Sequence, residues 1–334
     1  MNICSASTKH MKQLCLASLA LLTAATLPAQ EQAPKLTPEQ VEADYTSSAY
    51  ILNDPENESI QNIIHTLERC TAHGHPLAGL LLLDVYEGKR RGLTAQPEKA
   101  AKLATDIANG TIVLNAEHQQ SIPARLESMY RLALYREKGF GLPKSNSEAY
   151  EWMLKASNGG YGKARVELAR YLITGKGGHK SPRTALKLLK AQAATDASVP
   201  NLFFYLGYIY LSGNGMPKPN PKLAFKFFSI GEQFNDANAI NNLASMYERG
   251  LGTTKDELQA LRLYKKAANL GNKEASANMQ RLAYIQAERG SDTADSVRVD
   301  NAAMQVIESL PLPDYMRKNL SEPFRKHAEE NRHK

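Results

Sequence analysis

The sequence predicts an all-α protein, a solenoid of about six helix-turn-helix repeats. Two observations predict it. A Leu stands seven residues before a Gly at five places, and four of these glycines begin a Gly-x-Gly turn that an Ala follows ten or eleven residues later. The chain is also rich in Ala and Leu and has few β-branched alternations. A period of roughly 36–38 residues with fixed apolar positions is typical of helical solenoids, in which each unit buries its apolar faces against its neighbours. The Leu and Gly pairs are Leu81/Gly88, Leu132/Gly139, Leu168/Gly175, Leu206/Gly213 and Leu243/Gly250.

The stretch 239–271 shows the repeat most clearly. Ala239, Leu243 and Tyr247 are spaced four apart and therefore lie on one face of a predicted first helix. Gly250 and Gly252 end this helix, because glycine readily adopts the left-handed backbone of a helix C-terminus. The repeat thus begins with a helix that is apolar on one side and closes with a glycine turn.

A second helix follows in the same stretch. Thr254 with Glu257 three residues later is a capping-box pattern, which predicts the start of the helix. Ala260, Tyr264 and Ala267 form its inner stripe. Small residues on this stripe allow the two helices to approach closely.

Three stretches carry a family resemblance: Leu206-Gly207-x-x-Tyr210-x-x-Gly213-x-Gly215, Leu243-Ala244-x-x-Tyr247-x-x-Gly250-x-Gly252, and Ala260-x-x-x-Tyr264-x-x-Ala267-Ala268-x-x-Gly271. The first two resemble the first half of the Sel-one-like repeat (SLR), a relative of the tetratricopeptide repeat, and the third resembles its second half. The resemblance implies a right-handed α-α superhelix that binds a peptide or protein partner on its concave surface.

The N-terminus has the pattern of a secretory signal peptide. Lys9 and Lys12 precede the apolar run 14–22, and Leu27-Pro28-Ala29 resembles a cleavage site. The apolar run is too short for a permanent membrane span. We therefore expect an exported protein, periplasmic or extracellular, cleaved near Ala29, with translation starting at Met1 or at Met11.

The mature chain divides into a short disordered lead at 30–36, the repeat solenoid at 37–289, and a linker with C-terminal capping helices at 290–334. The repeat spacing breaks at an insertion at about 110–122, which is either a helical extension or a loop. The C-terminal helices either cap the open end of the solenoid or cover its groove. A covered groove would make the protein autoinhibited.

Charge argues against nucleic acid as a ligand. The formal net charge is +7, or about +5 without the leader, and the basic residues alternate with carboxylates. Two basic clusters stand out, at 89–91 and at Lys176, Lys180, Arg183, Lys187 and Lys190. Each is either a solvated surface or a contact for an acidic partner or anionic surface.

Four residues of the types that bind zinc lie within eleven positions, namely His65, Cys70, His73 and His75. Cys70 occupies the position of Ala267, where a small core residue belongs. We favour packing over metal and expect no cofactor, with structural zinc as the alternative. Cys70 is the single cysteine of the mature chain, so an intramolecular disulfide is excluded.

The chain carries no Gly-x-Ser-x-Gly, no His-Glu-x-x-His and no phosphate loop. We therefore expect no catalytic residue and a non-enzymatic role. The family resemblance brings one alternative, a cell-wall-related ligand binder or a weak β-lactam-binding or β-lactam-hydrolysing enzyme, since some secreted relatives are linked to penicillin binding or weak β-lactam hydrolysis. Ser145-Asn146 does not form the serine–lysine sets of that chemistry, and labelling with a fluorescent penicillin would separate the two hypotheses.

Phe204 and Tyr208 stand two residues before and after Leu206, at positions that face the concave groove in tetratricopeptide-type helices. Aromatic side chains provide contact area, while Arg and Asn provide hydrogen bonds. The sequence therefore predicts an exported, non-catalytic scaffold that binds a peptide or protein on this strip. The predicted strip consists of Tyr130, Leu134, Val166, Arg170, Phe204, Tyr208, Asn241, Ser245 and Arg281.

The leader generates the first testable prediction. When the chain is expressed from Met1 in a bacterial host, the protein recovered from the envelope should begin at Gln30, as measured by intact mass. Replacing Leu21 and Leu22 with Arg interrupts the apolar run and should abolish this processing. A wild-type protein that keeps its first 29 residues would contradict the assignment.

Overall fold

The computed structural model describes residues 36–52, 60–90 and 93–289. Within these ranges the chain forms thirteen α-helices and no strand, so the all-α prediction is confirmed there. The leader and the region 290–334, with its predicted linker and capping helices, lie outside the described residues. The helices are α1 Pro38–Ile51, α2 Ile60–Ala72, α3 Pro76–Tyr86, α4 Pro97–Asn109, α5 Ser121–Lys138, α6 Asn146–Asn158, α7 Gly162–Thr174, α8 Pro182–Thr195, α9 Leu202–Ser212, α10 Pro221–Gln233, α11 Ala237–Arg249, α12 Glu257–Asn269 and α13 Lys273–Arg289.

The chain divides into two compact units, Met1–Ser145 and Asn146–Lys334. The N-terminal unit begins with a capping box: the Thr37 hydroxyl accepts from Gln40 N–H, and the Gln40 side chain accepts from Thr37 N–H. Helices α1 to α5 then pack in chain order, and α3 also contacts α5. The first helix therefore begins directly after Thr37, where the sequence places the start of the solenoid.

The insertion in the N-terminal unit is a loop. Residues 110–120 contain no helix, and Leu114 inserts into the core. The Asn115 N–H donates to the carbonyl oxygen of Gly74, at an N–O distance of 2.9 Å. The loop therefore lies against the turn between α2 and α3, where the absence of a side chain on Gly74 leaves room for Val113.

A buried charge network joins α3 to α5. The Arg131 guanidinium contacts Asp84 at 2.7 Å, Glu87 at 3.1 Å and Glu127 at 2.7 Å, and the Tyr135 hydroxyl donates to Glu87. Burial opposes the charge of Arg131, but the three carboxylates outweigh it, so the pKa of the guanidinium lies above its ordinary value. Arg131 is therefore charged and ties α3 to α5 through its shared ion pairs.

In the C-terminal unit, helices α7 to α13 each pack against the next in sequence, and α9 also contacts α7 and α11. Their core follows the predicted register. The repeated Leu of each first helix and the repeated Ala of each second helix are buried, as at Leu206, Leu243, Ala224 and Ala260. The first helices thus stand side by side, with the second helices behind them.

The two glycines of each Gly-x-Gly turn have different roles. Gly250 ends α11 in the left-handed conformation, with φ at 68°. Gly252 also has positive φ, at 71°, and a Cβ there would overlap the carbonyl oxygen of Pro221, at the start of the preceding second helix. The first glycine therefore allows the turn, and the second allows the preceding repeat to approach closely.

The predicted start of α12 differs from the structure. The N-cap of α12 is Asp256, whose carboxylate accepts from Gln259 N–H, so the capping box of Thr254 with Glu257 is wrong. Asp is a strong N-cap residue, and it stands one position before the helix. Asn220 caps α10 as its sequence predicts. Ser181 occupies the N-cap of α8, but its hydroxyl contacts Thr184 rather than the backbone.

Replacing the second glycine of a turn with alanine should destabilise the protein more than replacing a glycine whose only constraint is its positive φ. Gly252→Ala and Gly271→Ala both place alanine at positive φ, but a Cβ at Gly271 meets nothing within 4 Å. We expect Gly271→Ala to lower the free energy of unfolding by about 1–2 kcal/mol and Gly252→Ala by about 1–3 kcal/mol more. Urea unfolding followed by circular dichroism measures the difference. Equal losses would refute the close-approach role of Gly252.

Candidate functional site

The predicted strip residues of the C-terminal unit lie on four successive first helices. Helix α9, which carries Phe204 and Tyr208, is flanked by α7 and α11. The remaining strip residues of this unit are Val166 and Arg170 on α7, Asn241 and Ser245 on α11, and Arg281 on α13. In the N-terminal unit, Tyr130 and Leu134 lie half-buried on α5.

The centre of the strip is aromatic. The Phe204 ring lies 6.3 Å from the Tyr208 ring and 4.9 Å from the Tyr205 ring, measured between centroids. Tyr208 is 39% exposed, whereas Phe204 is half-buried and packs against the core. Phe204 thus supports an exposed Tyr208. Sequence reasoning missed Tyr205, which stands one residue before the repeated Leu, at a position the core register does not use.

A polar network lies on the neighbouring helices. Both oxygens of Glu248 accept from the Arg281 guanidinium, at 2.8 and 2.9 Å, and the Tyr264 hydroxyl donates to Glu248 at 2.8 Å. Burial opposes the charge of Glu248, but the hydrogen bonds from Arg281 and Tyr264 hold its pKa below the ordinary value. The carboxylate is therefore ionised at neutral pH and orients Arg281, whose guanidinium is exposed and has further donors.

Three other strip positions are constrained by packing or pairing. Val166 is 1% exposed and Asn241 is 7% exposed, so neither presents surface to a partner. Their helical position points them between adjacent first helices, and the Asn241 amide oxygen accepts from Asn278 at 3.1 Å. The Arg170 guanidinium bonds to Glu167 at 2.6 Å and lies over the Tyr171 ring. The exposed residues of the strip are therefore Tyr208 and Arg281, and Ser245 is half-buried on α11.

An asparagine ladder connects the N-terminal ends of three first helices. The Asn238 amide donates to the Asn201 side-chain oxygen at 2.9 Å, and the Asn272 amide donates to the Asn238 side-chain oxygen at 2.9 Å. Sequence analysis missed this ladder, although asparagines spaced 37 and 34 residues apart are its signal. The ladder fixes the spacing between helices and lines this edge with amide groups.

The zinc alternative predicted a set made of His65, Cys70, His73 and His75, and the structure does not bring these four together. In the described ranges, the group of three side chains whose possible metal-ligand atoms all lie within 4.8 Å of one another is Glu42, His75 and His118. They line a cleft of about 320 Å³ in the N-terminal unit.

The hydrogen bonds of the two histidines in this cleft oppose metal binding. The Nδ1 atom of His75 accepts from Ala78 N–H at 3.0 Å, and that of His118 accepts from Gln120 N–H at 3.2 Å. In a neutral ring the proton then resides on Nε2, and His75 Nε2 donates it to Glu42 at 3.0 Å. A metal-ligating histidine needs its second nitrogen to donate instead. His75 therefore serves as the N-cap of α3.

Cys70 is equally unsuited to metal or nucleophilic chemistry. Its side chain is fully buried, and the thiol lies 3.6 Å from the carbonyl oxygen of Val41. Burial raises the pKa of the Cys70 thiol to about 11. Because the reactive form is the thiolate, Cys70 remains a neutral core residue at physiological pH.

These features define an all-α helical-repeat solenoid. The family model described as Sel1 repeat matches residues 126–161, 204–231 and 237–272. The chain therefore carries Sel1-like repeats. Proteins of this family generally act as protein-interaction scaffolds and are typically non-catalytic, which supports an adaptor role.

The chain is also similar to two solved structures and to one curated protein. The Sel1 repeat protein from Oxalobacter formigenes is 22% identical, with a TM-score of 0.55, over 72% of this chain and 90% of that one. An SLR-fold protective antigen of uropathogenic Escherichia coli is 16% identical, with a TM-score of 0.44, over 87% of this chain and 69% of its own. DAP3-binding cell death enhancer 1 of Rattus norvegicus is 27% identical over 170 residues. This match spans 50% of the present chain but only 32% of that relative.

The cap role of His75 is testable. His75→Ala removes the acceptor for Ala78 N–H and the bond to Glu42, and should lower the free energy of unfolding by about 1–3 kcal/mol. His75→Asn keeps a capping oxygen and should lose less. Exposed His65→Ala should change stability by less than about 0.5 kcal/mol. Denaturant titrations measure all three, and an Asn variant as unstable as the Ala variant would contradict the cap role.

Proposed function

We propose that this chain is an exported, non-catalytic adaptor that binds a peptide or protein segment on the exposed strip of its C-terminal unit. The exposed strip consists of Tyr208 and Arg281, with the half-buried Ser245 on the intervening first helix α11 and the half-buried Phe204 beside Tyr208. The observation that carries the proposal is Tyr208, an exposed tyrosine held against a half-buried phenylalanine on the helix between α7 and α11.

The strip combines two kinds of contact. Tyr208 provides a rigid, amphipathic surface with few rotatable bonds, which is why tyrosine is frequent among residues that dominate binding energies. Arg281 is oriented by its two bonds to Glu248 and retains donors for a backbone carbonyl or carboxylate of a partner. A segment laid across the first helices would therefore find an apolar anchor and a charged donor on one surface, without any cofactor.

The comparisons support the adaptor part of this proposal. Sel1 repeat proteins mediate protein interactions, and one relative of the chain is named for binding another protein, DAP3. Export rests on the N-terminal sequence pattern. In the described part of the chain, no helix has both the length and the apolar character needed to cross a bilayer.

The test is affinity capture from the native envelope fraction, with the tagged full-length chain as bait. The site variant combines Tyr208→Ala with Arg281→Ala, and it leaves Phe204 in place because that ring also packs in the core. Tyr50→Ala is the matched control, since Tyr50 is also exposed but lies on α1 in the other unit.

We expect wild type and the control to capture the same protein, which the site variant binds at least about tenfold more weakly when the pair is purified and titrated. Loss of one central aromatic anchor commonly costs 2 kcal/mol or more, which corresponds to about thirtyfold. Circular dichroism checks that the variants remain helical. Undiminished binding by the helical site variant would place the binding surface elsewhere.

A further inference from the structure

The outer faces of three successive second helices in the C-terminal unit are basic in the same register. In each helix, the buried stripe is formed by three residues spaced four and three apart. The residues two positions earlier lie on the opposite side of the helix, because two residues correspond to about 200° of rotation. Seven of these nine outer positions are Lys or Arg. They are Arg183, Lys187 and Lys190 on α8, Lys222 and Lys226 on α10, and Arg262 and Lys265 on α12.

The three helices belong to one packed body. Leu186 of α8 packs against the same core as Phe228 of α10 and Tyr264 of α12. The Arg183 guanidinium donates to the carbonyl oxygen of Gly215, which holds α8 against the turn of the next repeat. The middle outer positions of the three helices, Lys187, Lys226 and Arg262, therefore form a row that runs from repeat to repeat.

The charge of this surface is uncompensated. Between Glu167 and Glu232 the sequence contains a single carboxylate, Asp196, so the alternation of charges expected from the whole chain fails here. Asp196 accepts from the backbone and hydroxyl of Ser198. Glu232 is paired with Lys266, and Glu257 with Lys255.

Among the described residues, none of the seven outer basic side chains forms an ion pair, and most are exposed. Like charges spaced four residues apart on a helix repel one another, as at Arg183 with Lys187 and at Lys222 with Lys226. The surface therefore holds a concentration of positive charge that the protein itself does not neutralise.

The geometry points to an acidic polypeptide segment of a protein partner as the ligand of this basic face. Basic residues four apart are about 6 Å apart along a helix, close to the roughly 6.6 Å between alternate residues of an extended chain. A run of Asp and Glu could thus neutralise successive lysines along the face. The basic face lies on different helices from the exposed strip, so the two surfaces can be tested separately.

Other polyanions fit less well. Single-stranded nucleic acids bind where aromatic side chains stack on bases, and membrane-surface helices present large apolar residues to the lipid. On α8, α10 and α12 the only exposed large apolar side chain is Leu223. Five of the seven basic residues are Lys, whose ammonium groups act as point charges, whereas planar phosphate recognition favours Arg.

The test is fluorescence anisotropy with a short, fluorescein-labelled poly-glutamate peptide and the full-length chain. The row variant is Lys187→Gln with Lys226→Gln and Arg262→Gln. The matched control is Lys102→Gln with Lys144→Gln and Lys163→Gln, which removes the same net charge from exposed positions elsewhere.

We expect the row variant to bind at least about tenfold more weakly than wild type, and the control to differ by less than about twofold. Raising the salt concentration from about 50 mM to about 200 mM should weaken wild-type binding, because salt screens the interaction. A charge-reversal variant, Lys187→Glu with Lys226→Glu and Arg262→Glu, should lose poly-glutamate and bind poly-lysine. All substituted side chains of the row are exposed, so each variant should keep the wild-type circular dichroism spectrum.

Three results would overturn the proposal. The first is an absence of poly-glutamate binding by wild type at low salt. An equal loss in the matched control would mean that net charge, rather than this face, attracts the peptide. Tighter binding of a single-stranded RNA or of phosphatidylserine vesicles than of poly-glutamate would assign the face to another class of polyanion.

Discussion

The close contact between the second glycine of each Gly-x-Gly turn and the start of the preceding second helix is the constraint on which the fold depends. A Cβ on Gly177 would lie 2.9 Å from the carbonyl oxygen of Asn146, and one on Gly215 would lie 2.9 Å from the backbone nitrogen of Arg183. Backbone cannot move aside as a flexible side chain can. The turn therefore fixes how closely one repeat approaches the next, and with it the register in which successive helices align.

This constraint explains why much of the fold can be predicted from the sequence. A spacing set by backbone contact recurs at each repeat, and the residues that must be small recur with it. Ala224 and Ala260 are fully buried where their helices meet, as the periodicity predicts. The glycine turns and the core stripes are local or periodic features, so a single sequence contains the information needed to find them.

The features that sequence reasoning missed depend on contacts between distant residues. His75 and Glu42 are 33 residues apart, and only the fold shows that the imidazole is used on both nitrogens. The zinc alternative rested on ligand residue types that lie close together in the sequence. Whether a histidine nitrogen can bind a metal depends on which backbone N–H groups donate to the ring, and this is visible only in the fold. The insertion could likewise not be assigned as loop or helix, because its position is set by Gly74 rather than by its own periodicity.

Within the predicted strip, too, the periodicity predicts where a residue lies on its helix, but not whether the neighbouring elements bury it. A position two residues before the repeated Leu was expected to be open surface, yet the outcome depends on the residue: Phe204 is half-buried and Asn241 is buried. The Asn241 amide oxygen accepts from Asn278 on the next first helix, whereas the Phe204 ring packs partly against the core and lies beside Tyr208.

Positions that no neighbouring repeat covers do not have to fit against a packing partner. The outer residues of the second helices are not needed for packing, so their charge can vary without cost to the core: α6 has Glu151 at the register where α8 and α10 have Lys187 and Lys226. In a solenoid, the periodic positions therefore specify the fold, and departures from the period on exposed faces are where specificity for a partner can be encoded.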